Sequence, residues 1–174
     1  FESEILYPPT DIDVFVDKDT ISESSYFFSF ARLSPPKRVD IIVEAFLQMP
    51  DQNLIFTYGK NDPMRDEILQ KIEGKKNIKA IQSPNDEDLI GLISWATATI
   101  YIPVDEDFGM SPVESMACGT PVIGANEWWL KETIIEGKTG KLIEIWDSES
   151  WIMNLKNVIQ NTSKEEWITK KNDS

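Results

Sequence analysis

The stretch 102–123, with the sequence IPVDEDFGMSPVESMACGTPVI, contains a complete strand–loop–helix–strand pattern. A predicted strand over 99–102 ends here, and an acidic run and Gly109 lead to a predicted short helix over 112–117. Ser111 is typical of a helix N-cap, and Pro112 suits the first helical position, where its missing N–H would have no partner. Gly119 is typical of a helix end and precedes a predicted strand over 121–123. The pattern is that of one repeating unit of a parallel sheet.

The same alternation extends in both directions along the chain. Short apolar runs predict strands, and apolar residues spaced three or four apart predict helices. The predicted strands are 26–31, 54–58, 78–82, 99–102, 121–123 and 140–143, and the predicted helices are 37–49, 64–72, 87–96, 112–117, 130–136, 151–159 and 164–171. We therefore predict an α/β fold, a Rossmann-like doubly wound parallel sheet of about six strands with helices on both faces. In such sheets a ligand binds outside the carboxyl ends of the strands, near the switch point of the strand order.

The length of 174 residues fits one domain with a short appendage. Residues 1–16 contain Pro8-Pro9, which disfavours helix and stiffens a connection, so we predict an interdomain linker there. We predict that residues 17–162 form the Rossmann-like domain and that residues 163–174 form a C-terminal helix or tail.

The composition excludes several kinds of partner and chemistry. Lys and Arg total 17 and Asp and Glu total 30, which gives a formal net charge of −13. Nucleic acids and anionic lipids bind clustered cations, so we expect neither as a partner. No apolar run approaches the about 18–20 residues of a membrane span, so we expect none. Because the chain has no His, imidazole can take no part in catalysis or metal binding.

The cysteine and the tryptophans are expected to be mainly structural. The one Cys, Cys118, allows neither an internal disulfide nor a cysteine zinc cluster, and a free thiol fits a reducing cytoplasm. We expect Cys118 to be a small buried apolar residue, since no His is present to activate it. Among the tryptophans we expect Trp95, Trp146 and Trp151 to be core or helix-packing residues, and Trp167 to leave an apolar spot exposed.

Cations gather in the loop after the first predicted strand, which reads ARLSPPKRVD and contains Arg32, Lys37 and Arg38. The carboxyl ends of parallel strands meet at one edge of a sheet, so these cations could face the loop at Gly109. A helix start offers free N–H groups and a positive dipole end to an anion. Together they would form a clamp for a diphosphate. The alternative is that Arg32 and Lys37 are solvated surface charges and that a helix merely begins at Lys37.

Two acids, Glu106 and Glu114, flank the same helix start. With Ser111 as N-cap, Glu114 would complete a capping box, but it could also accept hydrogen bonds from sugar hydroxyls. The run at 105–107, Asp-Glu-Asp, leaves a metal site as a further alternative. We expect no metal, because a cationic clamp and a helix end would already neutralise a diphosphate.

These motifs together resemble the carboxyl-terminal domain of glycosyltransferase family 4, retaining enzymes with the GT-B fold. The motifs that carry the resemblance are YPP-x-D at 7–11, R-L-x-x-x-K-R-V-D at 32–40, E-x-F-G at 106–109 followed by Glu114, A-C-G-T-P-V-I at 117–123 and G-x-T-G-x-L at 137–142. EDFG followed by SPVES looks most like members that transfer mannose from GDP-mannose in surface-polysaccharide assembly. The sequence also departs from the family, since Ile81-Gln82-Ser83 lacks the usual glycine of the strand that contacts the base, and this leaves the donor open.

The resemblance implies a role for each matching residue. Arg32 and Lys37 would bind the nucleotide diphosphate and stabilise it as leaving group, and Glu106 would hold the donor sugar hydroxyls. The remaining contacts would be the backbone of Phe108, Gly109, Met110 and Ser111 along the sugar and phosphates, Glu114 on the ribose hydroxyls, and the backbone near Gly59 and Ile81 beside the base. No cofactor is implied beyond the nucleotide-sugar donor.

The resemblance also implies a partner domain. In this family an amino-terminal domain binds the acceptor, here a saccharide or a lipid-linked saccharide, and we expect that domain to be absent from this chain. We expect a cytoplasmic protein, with peripheral association at the inner membrane face through the missing domain as a further option. The alternatives are a GT-B-shaped sugar-nucleotide epimerase or phosphorylase, a non-catalytic nucleotide-sugar-binding module, and a receiver domain. The receiver domain is disfavoured because Arg32 and Leu33, rather than acids, follow the first strand.

Overall fold

The computed structural model of the chain describes residues 10–11, 14–15, 26–105, 109–127, 129–144 and 147–173. The strands are β1 (Tyr26–Ser29), β2 (Asn53–Tyr58), β3 (Ile78–Gln82), β4 (Thr99–Tyr101), β5 (Val122–Ala125) and β6 (Gly140–Ile143). The helices are α1 (Val39–Leu47), α2 (Arg65–Lys71), α3 (Asp86–Ser94), α4 (Met110–Ala117), α5 (Leu130–Thr133), α6 (Ser148–Asn161) and α7 (Lys164–Asp173), and a short 3-10 turn spans Pro35–Lys37.

The described strands form one sheet in the order β3-β2-β1-β4-β5-β6, and every neighbouring pair is parallel. This confirms the predicted α/β, Rossmann-like doubly wound sheet. The strand order reverses between β1 and β4, where Phe28 pairs with Ile55 on one side and with Thr99 on the other. The ligand crevice of such a sheet lies at this reversal, outside the carboxyl ends of the strands.

The core has two layers because successive residues of a strand point to opposite faces of the sheet. Phe27 belongs to the larger buried cluster, which includes Phe46 of α1, Leu155 of α6 and residues of α2. Phe28 points to the other face and packs in a smaller cluster with Ile93 of α3 and with Cys118. Helices therefore cover both faces, and Cys118 is buried as predicted and forms no disulfide.

The tryptophans only partly match the prediction. Trp151 is buried as expected, whereas Trp95 is 47% exposed and therefore does not lie in the core. The expectation for Trp167 was wrong, because this side chain is only 4% exposed. Its ring packs nearly perpendicular to Phe27, with the ring centroids 5.9 Å apart. Trp146 lies outside the described residues.

Helix α7 is fixed at the amino end of the sheet, away from the crevice. Lys171 Nζ donates hydrogen bonds to the carbonyl oxygens of Ser94 at 2.6 Å and Ala96 at 3.0 Å, which lie at and just beyond the end of α3. Lys170 Nζ donates to the carbonyl oxygen of Gly137 at 2.5 Å. No helix in the described part of the chain is long and apolar enough to cross a membrane. The predicted linker, 1–16, is described only at four positions and stays a prediction.

Candidate functional site

The loops that follow β1 and β4 meet at the point where the strand order reverses. The backbone N–H of Val104, three residues after the end of β4, donates to the carbonyl oxygen of Pro36 at 2.8 Å. Pro36 lies in the 3-10 turn that follows β1. The turn that contains Lys37 is therefore joined directly to the loop that leads towards α4.

Lys37 is held at the carboxyl end of β4. Its Nζ donates a hydrogen bond to the hydroxyl oxygen of Tyr101 at 3.1 Å and lies 5.5 Å from the centroid of that ring. Tyr101 is the last residue of β4 and is buried, so the ring is a fixed support. The ammonium group is therefore placed near the start of the loop to α4, where the diphosphate clamp was predicted.

Arg32 is held from the other side of the crevice. Its Nε donates to Asp62 Oδ1 at 3.3 Å, and the Arg32 side chain is 66% exposed whereas that of Asp62 is 7% exposed. The second carboxylate oxygen, Oδ2, accepts the backbone N–H of Leu33 at 3.0 Å and that of Gly59 at 2.8 Å. A buried carboxylate thus joins the loops after β1 and β2, and the exposed guanidinium is fixed to it by one edge.

Two cavities open beside these residues. The smaller, about 260 Å³, lies at the ends of β1, β2 and β3 and is lined by residues that include Arg32, Gly59 and Asp62. The larger, about 660 Å³, is lined by Ile81 and runs along α3 to Trp95. Ser83 and Pro84 line both cavities, so the strand ends assigned to the base at Gly59 and Ile81 open onto adjoining spaces.

Helix α4 begins two residues earlier than its sequence predicted. Gly109 is the N-cap residue, with φ of 74°, and Ser111 lies inside the first turn, so Ser111 is not the N-cap. A left-handed φ is accessible to glycine at little cost, and Pro112 is tolerated at the third position because its N–H would also lack a partner there. No described side chain caps this helix start. The N–H groups of Met110 and Ser111 precede the first intrahelical hydrogen bond and can therefore bind an anion.

The new helix start also changes the environment of Glu114. With Gly109 as N-cap, Glu114 lies at the fifth helical position, so the predicted capping box with Ser111 was wrong. The side chain is half-buried, and this burial raises the pKa of the Glu114 carboxyl. A carboxylate that is not used for capping is available to accept hydrogen bonds from hydroxyl groups.

The structure brings some of the predicted site residues together and not others. Arg38 does not belong to the clamp, because its guanidinium lies 4.1 Å from the centroid of the Trp151 ring. Of the described residues, neither Lys37 nor the first turn of α4 lines the cavity that contains Arg32. Glu106 and Phe108 lie outside the described residues, so their predicted roles stay predictions. Within the described ranges no group of three or more acids or cysteines could hold a metal ion, and Glu106 and Asp107 lie outside those ranges.

Sequence reasoning missed two residues that support the cations. Asp62 is 30 residues from Arg32, and Tyr101 is 64 residues from Lys37. Asp62-Pro63 follows Gly59 closely, and an acid just beyond a strand-end glycine was a signal that could have been used. Tyr101 has the sequence context of an ordinary strand residue, and nothing near it in the sequence indicates a contact with Lys37.

Relatives of this chain transfer sugars. A curated D-inositol 3-phosphate glycosyltransferase of Mycobacteroides abscessus is 26% identical over 163 residues, covering 85% of this chain and 37% of the relative. The O-antigen chain mannosyltransferase RfbU of Salmonella typhimurium is 26% identical over 159 residues, covering 90% of this chain and 44% of the relative. The chain therefore spans less than half the length of these curated relatives.

Solved structures share the fold. Anabaena Alr3699/HepE in complex with UDP and glucose has a TM-score of 0.76 and 22% identity, with 97% of this chain and 50% of that chain covered. The C-terminal domain of a glycosyl transferase group 1 family protein (LpcC) from Francisella tularensis has a TM-score of 0.74 and 18% identity, with 95% and 94% covered. The family model for glycosyl transferases group 1 matches residues 11–173, nearly the whole chain. The chain thus belongs to the glycosyl transferases group 1 family, and its sheet is one Rossmann-like half of a GT-B fold.

Proposed function

We propose that this chain is the donor-binding half of a retaining glycosyltransferase of family 4 that transfers mannose from GDP-mannose to a saccharide or lipid-linked acceptor. The observation that carries the proposal is the anchoring of two cations at the strand-order reversal. Lys37 is fixed to Tyr101 at the end of β4, and Arg32 is fixed to Asp62 at the ends of β1 and β2. In a chain of net charge −13, this local excess of fixed positive groups suits a diphosphate.

The proposed mechanism is stabilisation of a leaving group. When the sugar departs, negative charge grows on the diphosphate, and fixed positive groups lower the free energy of that transition state. Lys37 and Arg32 supply the charge, and the N–H groups at the start of α4 supply further donors. Removal of one such group from an active site typically lowers the rate by about 10²–10³-fold. In this proposal the clamp replaces a metal ion, and no other cofactor takes part.

The remaining roles are proposed from the family resemblance. Glu114, half-buried near the first turn of α4, would accept hydrogen bonds from the ribose hydroxyls. The backbone near Gly59 and Ile81 would flank the base, since both line the adjoining cavities. Glu106 would hold the hydroxyls of the donor sugar. The acceptor would bind to a second, amino-terminal domain, so this half by itself is proposed to bind nucleotide without transferring sugar.

The choice of mannose is supported by two curated mannosyltransferases, and the choice of GDP by the resemblance of the EDFG and SPVES motifs. One is RfbU, and the other is the alpha-1,3/1,6-mannosyltransferase alg-2 of Neurospora crassa, 24% identical over 184 residues. HepE, with the same fold, binds UDP and glucose, so the base must be tested directly. We propose a cytoplasmic location, where nucleotide sugars and a reduced Cys118 are both expected.

Isothermal titration calorimetry of the 174-residue chain with GDP, UDP and ADP tests the proposal. We expect GDP to bind best and Lys37→Ala to weaken that binding by about tenfold, or about 1.4 kcal/mol. Lys156→Ala is the matched control, because Lys156 is a partly exposed lysine of α6 whose Nζ donates to Oε1 of Gln48. Equal GDP binding by wild type and Lys37→Ala would refute the clamp, and preference for UDP or ADP would refute the proposed donor.

A further inference from the structure

The carboxylate of Asp62 connects three donors from two different strand-end loops. Oδ2 accepts the backbone N–H groups of Leu33 and Gly59, at 3.0 and 2.8 Å, and Oδ1 accepts Nε of Arg32 at 3.3 Å. Hydrogen bonds to an ionised carboxylate are stronger than those between neutral groups. Asp62 therefore fixes both the backbone beside Arg32 and the guanidinium itself.

From this arrangement we infer that Asp62 is a positioning residue that directs Arg32 towards the diphosphate of the nucleotide donor. The inference rests on the proposed function. The bond to Asp62 uses Nε of Arg32 and leaves its two terminal amino groups without a hydrogen bond to any described residue. Those amino groups carry the paired N–H donors that match phosphate oxygens. Asp62 holds Nε of the guanidinium, and Arg32 lines the cavity at the ends of β1, β2 and β3.

The strand-end glycine supports the same assignment. A Cβ added to Gly59 would lie 3.0 Å from Oδ1 of Asp62, which is closer than most real Cβ contacts. The absence of a side chain at Gly59 therefore allows the carboxylate to reach the N–H of that residue. Gly59 has a role besides contact with the base, because it permits the anchor of Arg32.

A positioning role and a purely electrostatic role of Asp62 predict opposite changes in the affinity of the site for an anion. If Asp62 only neutralised Arg32, its removal would strengthen the attraction of the site for an anion. If Asp62 orients Arg32, its removal lets an exposed, flexible side chain move freely, and ordering it on binding costs affinity. The sign of the change in anion affinity therefore separates the two roles.

The experiment is calorimetry with pyrophosphate and with GDP on wild type, Asp62→Asn, Arg32→Ala and the double variant. We expect Asp62→Asn to weaken pyrophosphate binding by about tenfold and to have no further effect when Arg32 is already Ala. Binding that is unchanged or tighter in Asp62→Asn would overturn the inference. An equal loss in the presence and absence of Arg32 would also overturn it, because a merely structural role does not act through that side chain.

Two further variants separate the positioning role of Asp62 from a change in net charge and from a loss of folding. Asp51→Asn makes the same change in net charge at an exposed position before the amino end of β2, and it is expected to leave binding unchanged. Arg32→Lys keeps the charge but cannot bond to Asp62 by one edge and to phosphate by the other. We expect it to bind pyrophosphate almost as weakly as Arg32→Ala, and binding at the wild-type level would overturn the inference. If wild type binds neither pyrophosphate nor GDP, the proposed function itself fails. If wild type binds and Asp62→Asn binds equally well, only the positioning role is refuted.

Discussion

Truncation of Trp167 measures how strongly α7 is packed against the sheet. The side chain is 4% exposed, and its ring meets that of Phe27 nearly edge-on, with an interplanar angle of 78°. Replacement of a buried Trp by Ala costs about 3–5 kcal/mol, because burial is lost and a cavity remains. We expect Trp167→Ala to lose this much free energy of unfolding. The hydrogen bonds of Lys170 and Lys171 at the end of the helix do not replace the lost contact area.

The conservative variant Trp167→Phe should behave very differently. The indole Nε1 is buried and has no hydrogen-bond partner among the described residues. A buried unpaired donor costs about 1–3 kcal/mol, and Phe lacks this donor. Phe also gives up roughly 40 Å² of apolar surface, or about 1 kcal/mol at 25 cal/mol per Å². The two effects nearly offset each other, so Trp167→Phe is expected to lie within about 1 kcal/mol of wild type.

Urea denaturation followed by circular dichroism compares the variants, provided that the dependence on urea concentration is the same for each. Met153→Ala is the control, since Met153 is 61% exposed and surface substitutions usually change stability by less than about 0.5 kcal/mol. The reasoning fails if Trp167→Ala costs less than about 1 kcal/mol. It also fails if Phe is as damaging as Ala, because the unpaired N–H would then have no energetic weight.

Three further changes test the crevice and the sheet. Tyr101→Phe removes the acceptor 3.1 Å from Lys37 Nζ but keeps the ring, so it should weaken GDP binding severalfold in calorimetry, and not at all when Lys37 is already Ala. Burial raises the pKa of Glu114, so this group favours the fold at low pH and that contribution is lost as the pH rises through the raised pKa. As the pH rises from about 4 to 7, the urea midpoint of wild type should therefore fall relative to that of Glu114→Gln. The same pH dependence in both proteins would contradict this. Gly140→Ala would push a Cβ into the carbonyl oxygen of Val122, and a loss of about 3 kcal/mol is expected in thermal unfolding, whereas a silent change would contradict the close pairing of β5 and β6.

The sheet could be predicted because its signals are local. The run 78–82, with the sequence IKAIQ, contains two β-branched Ile residues and lies between polar turns, and the strand Ile78–Gln82 has the predicted bounds. The start of α4 was harder, since Ser111-Pro112 satisfies the common rule for a helix start. The structure has a different helix start, with Gly109 as the N-cap in the left-handed region and Pro112 at the third helical position. Both satisfy the backbone hydrogen bonds, and the choice between them depends on packing of α4 against β4 and β5 rather than on sequence nearby.

The candidate site, like the fold, could be predicted only in part. The sequence could place Arg32 and Lys37 at the carboxyl edge of the sheet, because the loop that follows a parallel strand starts at that edge whatever its side chains contact. Their supports could not, since Asp62 and Tyr101 become neighbours only when the loops after separate strands converge. The expectation that Arg38 faces the same loop was wrong. A left-handed φ of 52° ends the 3-10 turn at Arg38, and its guanidinium lies over the Trp151 ring. Sequence proximity within one loop therefore did not decide which cations face the crevice.

Net charge gives little guidance to what such a crevice binds. Charges separated by more than about 8 Å are largely screened at physiological ionic strength, so most of the excess of 13 negative charges acts weakly on a bound anion. What acts strongly is the set of groups within that distance, and among the described groups the buried carboxylate of Asp62 is already bonded to two backbone N–H groups and to Arg32. A carboxylate satisfied in this way repels an anion less than a free one does, and it holds the guanidinium still. An acidic protein can therefore present a preorganised cationic site, because the site depends on how a few charges are anchored and not on how many the chain contains.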